Sequence, residues 1–64
     1  MKVYIAKPNM EYSGGCKIIA ARSAEEAKER AKDDWCSDYK VEHLPCLQTD
    51  LIIPCVIIDR TYFE

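Results

Sequence analysis

The chain opens on an alternation of period two, Val3 and Ile5 against Tyr4 and Ala6, which Pro8-Asn9 ends; this predicts a first strand over residues 2–7. Pro8 to Gly15 collects Pro, Asn, Ser and both glycines, residues that supply fixed or positive φ angles, and reads as a long hairpin loop. From Cys16 to Ala21 the chain returns as a second strand, with Cys16, Ile18 and Ala20 on one face and Lys17, Ile19 and Ala21 on the other. The two strands are expected to pair antiparallel.

The period then changes. Ala24, Ala27, Ala31 and Trp35 recur on one helical face, and Glu26–Arg30 and Glu29–Lys32 are opposite-charge neighbours on the helical surface. Ser23-Ala24-Glu25-Glu26 has the form of a capping box: the Ser23 hydroxyl can accept from the Glu26 N–H, and the Glu26 carboxylate from the Ser23 N–H. A helix is therefore predicted over about residues 24–36, its buried face mostly alanine with Trp35 as the one large anchor. Asp33, Asp34 and Asp38 oppose the helix macrodipole, so the last turn is expected to fray.

Tyr39, Val41 and His43 alternate with Lys40, Glu42 and Leu44 in a third strand that Pro45 ends. After a loop from Cys46 to Asp50, Leu51 to Ile58 shows no polar alternation. A strand reads this way when both faces are buried or when an exposed face meets a partner. Pro54 removes a backbone donor, so the regular part of this fourth strand is placed from about Cys55 to near Arg60. The fold expected is α+β: a small ββαββ domain, a mostly antiparallel four-stranded sheet with one helix packed on one face. One sheet face stays open, and either Cys55 and Ile57 or Val56 and Ile58 then face water. Val56, Ile58, Tyr62 and Phe63 are accordingly the expected oligomer interface. The competing expectation is that the Tyr12 loop and the Tyr62-Phe63 tail fold back over this surface.

Composition narrows the class. At 64 residues and 7.4 kDa the chain is read as a single domain, and 48% hydrophobic with 31% charged residues is a globular balance. The net charge of −2 gives no general pull toward phosphate backbones or anionic lipid, which argues against nucleic acid and membrane partners. The apolar run 51–58 is far too short for a membrane span, and the first residues lack a signal peptide's apolar stretch; a cytoplasmic protein is expected. Residues 1–22 carry four cations and one anion, while the remainder is acidic.

Candidate chemistry is sparse. Cys16, Cys36, Cys46 and Cys55 contain no Cys-x-x-Cys and read as reduced structural cysteines. Cys36, His43 and Cys46 are the one metal-like grouping; the pattern supplies no fourth ligand, so no metal and no cofactor is expected. His43 reads as a half-buried strand histidine rather than a catalytic base. Ser13-Gly14-Gly15 opens a strand rather than a helix and reads as a plain loop. Lys2, Lys7, Lys17 and Arg22 with Tyr4 and Tyr12 form the one basic-aromatic group; a solvated hairpin face is preferred over a stacking site for a nucleotide.

The stretch Cys16-Lys17-Ile18-Ile19-Ala20-Ala21-Arg22-Ser23-Ala24-Glu25-Glu26-Ala27 resembles the strand-to-helix step of small bacterial and phage proteins such as HicB-type antitoxins and the DpnD/PcfM-like proteins of mobile elements. Over residues 1–36 the resemblance implies a small accessory protein, phage- or mobile-element-encoded, that acts by binding; no catalytic residue carries over. The expectation is a non-enzymatic protein that dimerises through its last strand and binds, inhibiting, a protein partner. The alternative is a module that sequesters a nucleotide or other small molecule in a pocket at a homodimer interface, lined by Tyr4, Tyr12, Lys17 and Arg22.

Overall fold

The computed structural model describes residues 1–63, the side chain of Phe63 excepted. Its regular elements are β1 (Lys2–Pro8), β2 (Ser13–Gly14), β3 (Lys17–Ala21), α1 (Ala24–Ala31), β4 (Tyr39–Gln48), β5 (Cys55–Asp59) and β6 (Tyr62–Phe63). The main sheet has the order β4-β1-β3-β5, every neighbouring pair antiparallel. Since β3 and β4 both run against β1, they are parallel to each other, and α1 makes the crossover between them over β1. Four strands and one helix in the order ββαββ are thus the architecture the hydrophobic periods predict. Among the described residues no helix is long and apolar enough to cross a membrane.

Packing of α1 on the sheet depends on small side chains. Ala27 and Ala31 on the helix and Ala6 and Ala21 on the sheet are fully buried, which lets the two layers approach closely around Ile19 and Tyr39, the largest fully buried side chains. Ser23 caps the helix as its sequence implies: its Oγ accepts from the Glu26 N–H at 3.2 Å. The return bond differs, since the Glu26 carboxylate accepts from the Arg22 N–H at 2.8 Å, one residue earlier than the capping box predicts. Of the expected ion pairs on the helix, Glu29–Lys32 forms at 3.0 Å, while Glu26 lies beside Arg22 at 3.8 Å instead of Arg30.

The helix ends at Ala31, well short of residue 36. Asp33 competes for the backbone: its Oδ1 accepts the Trp35 and Cys36 N–H groups at 3.0 and 2.8 Å, folding residues 33–36 into a turn. That turn carries Trp35 off the helical face, and it is 73% exposed rather than an anchor. Tyr39 and Cys36 fill the core instead.

β4 also differs from its prediction by continuing through Pro45 to Gln48. Proline is tolerated there because β4 is an edge strand. Its pairing with β1 slips: Tyr4 opposes His43 and Lys2 opposes Gln48, so four residues, 44–47, bulge out opposite Val3.

β2 and β6 extend the β3–β5 ribbon. Lys17 opposes Asp59, the Arg60 N–H donates to the Cys16 carbonyl at 2.8 Å, and Gly14 opposes Tyr62, all in one continuous register. Gly15 permits this continuity. It has φ +78, and a Cβ there would collide with the Arg60 carbonyl oxygen. The tail therefore pairs with the end of the first hairpin loop and continues the ribbon, where the competing expectation has both segments folding back over the open face.

Candidate interaction surfaces

Three features could bear function. The first is a polar cluster between the sheet and the end of α1. Lys17 is almost completely buried, yet its Nζ lies 2.8 Å from the last helical carbonyl, Ala31, 2.8 Å from Asp33 Oδ2, and 5.0 Å from the centre of the Tyr39 ring. Asp59 stands 3.8 Å away on the other side. The Tyr39 hydroxyl donates to Asp33 Oδ2 at 3.1 Å. Burial would pull the Lys17 ammonium down, but its contacts with Asp33 and Tyr39 outweigh this and hold it above its ordinary value. Asp33 is lowered to about 2 by Lys17, against the effect of burial, with help from the Cys36 and Trp35 N–H groups. Among the described residues no buried side-chain nitrogen or oxygen lacks a hydrogen-bond partner, and the cluster acts chemically as a helix C-cap.

The second is an apolar apron. Residues 49–54 link Gln48, the end of β4 on one edge of the sheet, to Cys55, the start of β5 on the other edge. Ile52 and Ile53 on this crossing are 81% and 68% exposed. Val56, Ile57 and Ile58 on β5, Leu51 on the crossing and Leu47 near the end of β4 are also exposed. The expected pair, Val56 and Ile58, does not share a face. A slip between Ile18 and Ile19 sets Ile58 against Ile18 on the open face and Val56 against Ile19 on the helix side. Tyr62 is exposed beside Gly14, and the Phe63 side chain lies outside the described residues. Val56 and Ile58 therefore do not form one surface.

The third is a groove of about 560 Å³ on the helix side, at the end of the sheet where β4 slips. Lys2, Arg22 and His43 line one part of it and Pro45, Leu47 and Gln48 another; no carboxylate lines it. A larger depression of about 720 Å³ runs over the solvent face of α1, but mixed charges on exposed side chains line it and nothing there converges on one ligand chemistry.

The four residues expected to form a ligand pocket are dispersed. Lys17 is buried in the C-cap cluster, about 14 Å along β1 from the groove by strand rise. Tyr4 is buried beneath His43, ring centres 5.3 Å apart. Tyr12 sits 73% exposed in the loop after β1 with φ 60, a left-handed backbone rare for an aromatic residue. Arg22 alone reaches the groove, with Lys2 from the wider basic-aromatic group. His43 is exposed rather than half-buried. The bulge that makes this groove left no periodic signal; Pro45 in a strand is the residue that marks it.

The four cysteines are unpaired thiols, Cys36 buried and donating to the Asp38 carbonyl at 3.1 Å. Among the described residues no group of three His, Cys, Asp or Glu could hold a metal ion. No family model, no curated protein and no solved structure matches the chain.

Proposed function

We propose that this is a small non-enzymatic, cytoplasmic binding protein that associates with a second copy of itself through the apolar apron and binds, and thereby inhibits, a protein partner. The exposure of Ile52, Ile53 and Ile58 on one continuous stretch of chain carries this reading. Large apolar groups concentrated in this way mark interaction sites on soluble domains. The total surface, 4593 Å², exceeds the about 4,200 Å² typical of a compact monomer of 7.4 kDa.

The edge of β5 favours association by faces over open-ended strand addition. Pro54 offers no N–H where the strand begins, the slip at Ile57 bends it, and the Asp59 carboxylate accepts the Thr61 N–H at 3.1 Å where the strand ends. Tyr12, exposed in its left-handed conformation and backed by the Ser13 Oγ to Met10 carbonyl bond at 2.6 Å, is a contact that a protein partner would use.

A native pull-down tests the partner. Wild-type bait is expected to retain a protein that the Tyr12→Ala bait loses; equal recovery by the two contradicts the reading.

A further inference from the structure

The groove at the β4 slip shares Leu47 with the apron but is defined by polar side chains, and its chemistry is of one kind. Lys2 lies on the helix side of the sheet opposite Ala21, Arg22 follows Ala21 just beyond the end of β3, and His43 faces the helix side in register with Tyr4. Lys2 from β1, His43 from β4 and Arg22 from the bend after β3 thus line one groove; no carboxylate lines it, and the nearest ion-pair partner, Glu26, stands 3.8 Å from Arg22. The bulged residues supply the other wall, where Pro45 and Leu47 present apolar surface and Gln48 an amide. Its volume, about 560 Å³, is in the range of small-molecule sites.

We propose that this groove binds a phosphomonoester, the phosphate held by Arg22 and Lys2 with His43 beside it and the organic group against Pro45 and Leu47. A phosphate carries up to two charges and three acceptor oxygens, which suits donors arriving from three directions better than a carboxylate does. Arg22 is available for this. Among the described residues its one ion pair, to Glu26, is long at 3.8 Å, and its side chain is 67% exposed. A nucleic acid backbone is the poorer occupant, because the rest of the chain is acidic and the net charge is −2.

The test is an NMR titration of the intact chain with inorganic phosphate, phenyl phosphate and, in a separate arm, a single-stranded oligonucleotide, at constant ionic strength. Saturable shifts are expected at Lys2, Arg22, His43 and Gln48, with phenyl phosphate tighter than phosphate. Arg22→Gln and Lys2→Gln are each expected to weaken binding by about tenfold, the loss of one charge-assisted contact. Glu26→Gln keeps the acceptor for the Arg22 N–H, removes the competing charge, and is expected to tighten binding. The proposal is overturned by shifts that do not saturate, by shifts elsewhere, by an Arg22→Gln chain that binds as well as wild type, or by binding of the oligonucleotide alone.

Discussion

Lys17 shows how one residue can be misplaced by its type. An alternating strand puts it on the same face as Ile19 and Ala21, and that face proves to be the one α1 covers. The charge is tolerated because Ala31, Asp33 and Tyr39 surround it, partners that are 14, 16 and 22 positions away in sequence and so invisible to any local pattern. A buried charge that loses its partner is costly, whereas removal of both is far less so. Lys17→Met should therefore cost about 3 kcal/mol, and adding Asp33→Asn should recover part of it; urea melts of the two singles and the double form the cycle that checks this. The same pair sets a pH dependence. Asp33 is held ionised down to about 2 from an ordinary 3.8, so its contribution is complete above about pH 4 and is lost as pH falls through 2. Melts between pH 2 and 5 should show a decline of about 2 kcal/mol in wild type that Asp33→Asn lacks.

At the scale of elements, periodicity identified β1, β3, α1, β4 and β5 because each buries one face or stripe, and burial is what the pattern records. The ends were less legible. α1 stops five residues early because the Asp33 carboxylate offers the Trp35 and Cys36 N–H groups a stronger local partner than another helical turn would. β4 runs past Pro45 because its outer edge needs no donor. Bulges carry no period at all, and two of them determine the candidate sites: one opens the groove, the other splits Val56 from Ile58. The β2–β6 pairing rests on Gly15, so Gly15→Ala should cost about 1–2 kcal/mol through its positive φ and the Arg60 carbonyl, and release the tail. Gly14→Ala meets only the exposed Tyr62 ring, which can swing aside, and should cost less. Hydrogen exchange at residues 60–62 with thermal melts distinguishes the two.

Seen whole, the molecule is a two-layer slab, 34 × 20 × 15 Å in its Cα extents, with a core of alanines, two tyrosines and a few aliphatic groups. Its largest aliphatic side chains are mostly outside, on the 47–58 stretch. A chain this small gains little stability from its own core, and covering that stretch would add apolar burial that the fold alone lacks. The apron was legible as an apolar run without alternation; which of its residues point together was not, since that depends on the slip in β5. Self-association is the central claim of the proposed function, and light scattering during size exclusion measures it directly. Wild type loaded at high micromolar concentration should elute at twice 7.4 kDa, and Ile52→Asp with Ile53→Asp, both on exposed positions that leave folding intact, should elute at the monomer mass. A wild-type monomer at that concentration, or a dimer that the two aspartates leave unchanged, would contradict it.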